Sequence, residues 1–427
     1  MQQSIGISSK QARVGLIVLL FLGTMLAYID RQVLAILKPT IEAEFNWHDE
    51  AFAHLASAFN LATATAVIFM GWLVDRFGPR LLYAAAMLVW SLAGISQIFA
   101  ATVNEFLLAR IVLAIGESAN GPAAVKSCAL FLPLKERSVG LGVVTMATNV
   151  GAVAAPLLIP ALASRLGWRD AFLLTAVPGL IWVAFWAAGT RKFSAVADTR
   201  NRLAAASVGW REFLTDRRTW GIVIAKMLGD TVWWFMLFWT PDLFNKVFHL
   251  SQAALGGPVA LSYSMAALGA LCAGFLFPWL LKRGLSLNLA RKIGMTAFAL
   301  LVVPLPLALA AGNPWIAALI IGTATFAHNG FMTNIFGLMS DIVPLSRVAT
   351  IMALGSVAGN LSGAAMLEFA GWNLDNGKGY WPMFLWCSVA YLLAVLWLHW
   401  RIPRIELSDH GRSEDDLHDA PLPGVLH

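Results

Sequence analysis

The sequence predicts an all-α membrane protein with twelve transmembrane helices in two pseudo-symmetric six-helix bundles. Three observations carry this. Of the 427 residues, 59% are hydrophobic and 13% charged, with a mean hydropathy of +0.70, whereas ordinary soluble domains hold about 25% charged residues. Apolar runs of about twenty residues, the length that crosses a hydrocarbon core, recur along the chain; a membrane barrel would show weaker ten-residue alternation. The longest polar stretch between them, Arg191 to Thr219, leaves six runs on each side.

The first span, Val14 to Ile36, carries Asp30 and Arg31 and lacks a small-residue cleavage site, so it reads as a retained span rather than a signal peptide. The second is Ala51 to Val74 and the third Leu81 to Ala101. In the fourth, Phe106 to Phe131, Gly116, Gly121 and Pro122 are expected to loosen or bend the helix. Val139 to Ala163 and Ala171 to Gly189 complete a first bundle over residues 1–190. A cytoplasmic linker, 191–219, leads to the seventh span, Trp220 to Phe244, where Lys226 and Asp230 stand four residues apart as a local ion pair. Gly256 to Leu281, Ile293 to Ala311, Trp315 to Ser340, Val348 to Ala370 and Trp381 to Trp400 complete the second bundle, 220–400. The tail, 401–427, is polar from Ser408 and is expected to be disordered and cytoplasmic.

Short internal echoes support paired halves. Trp72-Leu73-Val74-Asp75-Arg76 after the second span returns as Trp279-Leu280-Leu281-Lys282-Arg283 after the eighth. Asn149-Val150-Gly151-Ala152 in the fifth returns as Asn360-Leu361-Ser362-Gly363 in the eleventh. Parallel repeats of this kind place a binding site at the interface between the halves.

Basic residues set the expected orientation. With both termini in the cytoplasm, the outer loops hold only Lys38, Arg165, Arg169, Lys246 and Lys378. This asymmetry also accounts for the net charge of +6 without a nucleic-acid partner, because the basic residues are spread over inner loops. Cys128, Cys272 and Cys387 fall in separate spans without a CxxC pattern and read as buried free thiols. The histidines show no ligand spacing, and the chain offers no nucleophile with a base and no phosphate loop, so neither enzyme, metal nor cofactor is expected. A monomer in the lipid bilayer suffices.

Charge at membrane depth is the strongest functional signal. Asp30, Arg31, Arg110 and Glu117 lie inside apolar segments, where an ionisable group costs about 2.5–3.5 kcal/mol on insertion scales and persists by lining a polar cavity, pairing, or moving ions. Arg110 and Glu117 are seven residues apart, roughly 10 Å along one helix face, too far for direct contact in a regular helix and with room for a partner from another span. A structural ion pair is the plainer reading. Asp30 and Arg31 point about 100° apart; one arrangement turns Arg31 to a cavity, where its planar fork would take a carboxylate, and Asp30 to Arg110. The other reading is an Arg31 snorkelling to the outer interface.

Other polar residues stand between two readings. Asn149 and Asn360 could meet sugar hydroxyls, though Asn360, in the ladder Gly355, Gly359, Gly363, also suits an interhelical hydrogen bond. His328 and Asn334 on the tenth span divide in the same way. Trp234, with Trp233, Phe235 and Trp239, could stack on a ring or simply pack. Lys126 could reach the cavity or snorkel inward. Gly71, Asp75, Arg76, Gly78 and Arg80 form GxxxDRxGxR at the inner end of the second span, either a latch that breaks as the halves rock or an anchor followed by a turn at Gly78-Pro79.

That motif matches the loop signature of the major facilitator superfamily. Tyr28-Ile29-Asp30-Arg31, Gly116-Glu117-Ser118-Ala119-Asn120 with Pro122 to Lys126, Lys135-Glu136-Arg137, Asp230 with Val232 to Phe235, Trp239 and Pro241, and Ala327-His328 with Asn334, Ser340, Asp341 and Pro344 resemble its anion:cation symporter family, hexuronate transporter branch. The resemblance spans nearly the whole chain. It implies a proton-coupled carrier of acidic sugars in the cell inner membrane, in which Arg31 meets the substrate carboxylate, with Tyr28 beside it. Asp30 and Glu117 would then take up protons, and Arg110 would shuttle between carboxylates. Departures occur at Thr63, Ala66, Val67 and Phe69, where relatives have Tyr and a GQxPGG run, and at Asn360, which replaces a small residue. Two alternatives therefore stay open: a carrier of aromatic or dicarboxylic acids, and a non-translocating sensor.

Overall fold

The computed structural model describes residues 10–191, 215–343 and 345–405, and these are helical apart from short connections. The predicted linker falls largely outside them, at 192–214, as does the tail from 406 onward. The helices are α1 (Lys10–Phe45), α2 (Asp49–Phe77), α3 (Pro79–Ser96), α4 (Val103–Glu117), α5 (Asn120–Phe131), α6 (Leu134–Leu166) and α7 (Trp168–Gly189), then α8 (Arg217–Lys246), α9 (Gly256–Lys282), α10 (Leu287–Val302), α11 (Pro314–Ile342), α12 (Leu345–Asp375) and α13 (Trp381–Arg401). Among the described residues, ten helical segments are long and apolar enough to cross a membrane. The two other expected spans are α12, 31 residues long, and the fourth, which is broken.

The break has a local cause. Pro122 has no N–H to bond the Ser118 carbonyl, so the helical ladder stops after Glu117 and restarts at Asn120. Ser118 turns its hydroxyl back to the Ala114 carbonyl at 2.6 Å. Beside the break, a Cβ on Gly116 would lie 2.8 Å from Trp90 Cβ and 2.9 Å from the Ala86 carbonyl, so glycine lets α3 press against the last turn of α4. The effect is to set Glu117 at a helix end inside the bundle.

Other ends follow the usual chemistry. Thr102 and Glu105 form a capping box on α4, Ser286 caps α10, and Asn313 with Pro314 starts α11. Gly78, at φ 79°, makes the reversal from α2 to α3, a conformation that disfavours a side chain.

The helices that carry the sequence echoes pair crosswise. Helix α2 packs on α12 and α9 on α6, while α1 meets α8 along the same seam. At the end of the bundle away from the termini the seam is sealed by charge. Lys38, 1% exposed, donates to Asp49 Oδ1 and Asp242 Oδ1, both at 2.6 Å, and to Glu42 at 2.8 Å. Lys246 pairs with Asp49, Tyr380 donates to Asp242, and Gln252 donates to the Ile36 carbonyl at 2.8 Å. Asp375 accepts the backbone N–H groups of Asp49 and Glu50 at 2.9 and 2.8 Å. Lys38 thus lies inside a cross-seam cluster, although sequence alone marked it as an outer-loop cation.

Removing a partner from a buried ion pair costs on the order of 3–5 kcal/mol. Lys38→Met, which takes the cation from Glu42 and leaves Asp49 and Asp242 to share Lys246, is therefore expected to open this end. Ala56 is fully buried on α2, one turn beyond Phe52, whose ring borders Lys38 at 5.3 Å. In a background without the native cysteines, Ala56→Cys should react with an impermeant maleimide at least about tenfold faster when Lys38 is Met; equal rates would show that the cluster does not hold the seam.

Candidate functional site

Arg31 Nη2 donates to Glu117 Oε2 at 2.9 Å, joining α1 to the broken end of α4. The partner for which the Arg110–Glu117 spacing left room is Arg31. Its guanidinium is bounded by three rings, Tyr28 at 5.0 Å on its own helix, Phe59 at 5.1 Å on α2, and Trp234 at 5.4 Å on α8. Such contacts hold a cation without neutralising it. Because Trp234 comes from the other half, Arg31 stands on the seam rather than snorkelling outward.

Arg110 is fully buried and lies over the same Phe59 ring at 4.8 Å. One nitrogen donates to the Arg31 carbonyl at 3.4 Å, and its Nε and Nη1 have no partner. Asp30, 5% exposed, lies within electrostatic reach of both Arg110 and Glu117. Adjacent on α1, residues 30 and 31 thus both serve the cluster, Arg31 through its bond to Glu117 at the seam and Asp30 through its charge.

Two cations and two carboxylates in one buried cluster balance, and several of their polar atoms, including Arg31 Nε and Glu117 Oε1, lack partners. Buried charged groups left partly unpartnered are costly in a low-dielectric interior. An external carboxylate that took the Nη2 edge of the Arg31 fork would displace Glu117. A displaced Glu117 would keep only Arg110 within electrostatic reach in a low-dielectric interior, a state that a proton would relieve.

Trp234 is fixed from behind by α12, since a Cβ on Gly363 would overlap Trp234 Cδ1. Gly363→Ala is accordingly expected to push the indole off Arg31 and cut uptake at least about tenfold, a cost of the order seen for overpacking. Gly274→Ala, where a Cβ meets nothing within 4 Å, is the control and should leave uptake unchanged.

The remaining residues divide. Asn149 accepts from Asn329 at 3.3 Å, bridging α6 and α11 across the seam. Asn360 donates to the Ser356 carbonyl at 2.8 Å and leaves Oδ1 unpartnered, so it serves its own helix with one end only. His328 hydrogen-bonds Tyr391 at 2.6 Å and stacks on Trp233 at 4.8 Å, and Asn334 bonds the Gly330 carbonyl at 3.0 Å against Gly294. Both side chains are engaged within the second half, His328 by Tyr391 and Trp233 and Asn334 by its own helix. Lys226 pairs with Asp230 as expected, and Lys126 is half-buried on α5.

In the GxxxDRxGxR segment, Arg76 lies over Trp72 and Phe77 at 5.2 and 5.6 Å. The Arg80 carbonyl accepts from Trp186 at 2.9 Å, and a Cβ on Gly71 would meet nothing within 4 Å. The Asp75 side chain lies outside what is described. Sequence reading passed over Phe59, which carries both guanidinium groups, and Asn60 beside it. A lone Asn in an apolar span was the available signal.

A family model described as Major Facilitator Superfamily matches residues 20–367. The hexuronate transporter of Escherichia coli (strain K12) is 26% identical over 439 residues, covering 97% of this chain and 99% of that protein. The probable L-galactonate transporter of the same strain is 26% identical over 409 residues, covering 91% and 90%. Among solved structures, a bacterial homologue of the human lysosomal transporter Spinster, inward-facing and unoccupied, superimposes with a TM-score of 0.71 at 20% identity, covering 93% of this chain and 96% of that one.

Proposed function

The chain belongs to the Major Facilitator Superfamily, and we propose that within it this transporter is a proton-coupled symporter importing an acidic sugar of the hexuronate or aldonate type. The observation that carries the reading is the buried Arg31–Glu117 pair at the seam, 2.9 Å long, with Trp234 of the other half against its guanidinium. The names of the hexuronate and L-galactonate relatives support the substrate class.

Facing outside, a protonated Glu117 releases Arg31, and the substrate carboxylate takes its place. Asp30, within electrostatic reach of Arg110, is the second proton carrier, while Arg110 steadies whichever carboxylate is unprotonated. Rocking of the bundles, 1–190 against 220–400 about the linker 191–219, exposes the site to the cytoplasm. There Glu117 loses its proton, reclaims Arg31 and expels the anion. The Lys38 cluster is the outer gate, and Gly71, Asp75, Arg76, Gly78 and Arg80 form the inner latch. In this reading the protein works as a monomer in the inner membrane with both termini cytoplasmic, and Tyr28, Asn149 and Asn360 line the path.

The test is uptake of labelled sugar acids into proteoliposomes with an acid exterior. Accumulation that collapses with the pH gradient is expected; uptake indifferent to the gradient, or no sugar acid taken up, would overturn the reading. A second reading, an aromatic or dicarboxylic acid as cargo, rests on the sequence departure at Thr63, whose hydroxyl already donates to the Phe59 carbonyl at 2.8 Å and so has no proton for a sugar hydroxyl. Adding those acids as competitors to the same assay separates the two.

A further inference from the structure

We infer that Asn60 is a specificity-determining residue, forming with Trp234 a subsite for the hydroxyl groups of a polyhydroxylated monocarboxylate. This rests on the proposed reading of the site and sharpens it, because it chooses a polyol acid over an aromatic or dicarboxylic one.

Asn60 is 0% exposed, and neither its Nδ2 nor its Oδ1 has a hydrogen-bond partner. A carboxamide in an apolar span is unfavourable in that state. Its position is specific. Phe59, the residue before it, carries the Arg31 and Arg110 guanidinium groups on its ring. Asn60 faces α12 instead, where its Nδ2 lies 3.0 Å from the point a Cβ on Gly363 would occupy, and the Trp234 indole overlaps that same point. One indole therefore borders both the anion-binding guanidinium and the unpartnered carboxamide. One turn back on α12, Asn360 presents its own unpartnered Oδ1.

The chemistry of the pair selects the ligand. A carboxamide is neutral and offers donors and an acceptor together, which suits hydroxyl groups and not a second carboxylate. An indole beside it accepts the C–H face of a sugar chain or ring. An acid anchored on Arg31 would lay its hydroxylated part across Trp234 toward Asn60. A dicarboxylate would bring a charge against groups that cannot neutralise it. A site built to hydrogen-bond a hydroxyl also rejects the analogue that lacks it, since its polar groups are then left unpaired.

The experiment uses proteoliposomes of the full chain and whichever of labelled D-galactonate and D-glucuronate the wild type takes up faster, with monodeoxy analogues of that acid as inhibitors. In the wild type at least one deoxy analogue should inhibit about tenfold less well than the parent acid. In Asn60→Leu the parent should weaken to the level of that analogue, so the difference disappears; in Asn60→Ser part of it should return. The residual inhibition by the deoxy analogue reports that the variant is folded. A Leu variant that keeps the whole difference, or weakens parent and analogue alike, overturns the subsite and leaves the proposed function standing. A wild type that takes up neither acid overturns the proposed function, and the subsite falls with it.

Discussion

Arg31→Lys is expected to lower uptake about a hundredfold or more, although the positive charge is kept. The guanidinium does three things that an ammonium cannot do together. It offers a planar fork to a carboxylate, stacks among Tyr28, Phe59 and Trp234 at 5.0–5.4 Å, and keeps an unpartnered Nε while bonded to Glu117. Truncating one partner of a buried, hydrogen-bonded charge pair costs about 2–5 kcal/mol, and at 1.36 kcal/mol per factor of ten the middle of that range is a few hundredfold. Initial rates in proteoliposomes, normalised to reconstituted protein, provide the check. A Lys variant within threefold of wild type would show that Arg31 acts only as a diffuse positive charge.

Glu117→Gln should separate binding from coupling. Gln keeps the shape of a protonated Glu and leaves Arg31 open to an anion, so counterflow between loaded and external substrate should continue. Accumulation driven by an acid exterior should fall to the equilibrium level, because no proton is bound at 117 and released inside. The sign follows from the geometry. Glu117 without its proton competes with substrate for Arg31, so acid pH favours binding in the wild type, and that dependence should flatten in the variant. Retained gradient-driven accumulation would move the coupling to Asp30, which lies near Arg110 in the same cluster.

The fold was legible because its signals are long and redundant. Runs of twenty apolar residues cannot hide, and the echo between Asn149-Val150-Gly151-Ala152 and Asn360-Leu361-Ser362-Gly363 marked helices that do meet partners across the seam. The charged cluster was legible for a related reason, since Asp30, Arg31, Arg110 and Glu117 are costly wherever they are not used. The break in the fourth span could be read from Pro122 and its glycines, but the consequence, a Glu117 placed at a helix end facing α1, could not.

What escaped detection depends on pairings across the seam. Lys38 read as one more outer cation because Asp242, with which it bonds, is 204 residues away. His328 and Asn334 carry polar groups at membrane depth, yet Tyr391 and the Gly330 carbonyl satisfy them. Asn60 was the reverse case, an unremarked amide in an apolar stretch that the fold leaves without a partner. Residue type announces that a polar group needs an explanation; only the packing tells whether a neighbour already supplies it.

The most direct measurement counts protons taken up per anion bound, by calorimetry of the detergent-solubilised protein in buffers of different ionisation enthalpy. Substrate carboxylate replacing Glu117 on Arg31 predicts uptake close to one proton per anion in the wild type and close to none in Glu117→Gln. Binding that takes up no proton in the wild type, or takes up the same number in both proteins, would contradict the exchange of carboxylates on Arg31.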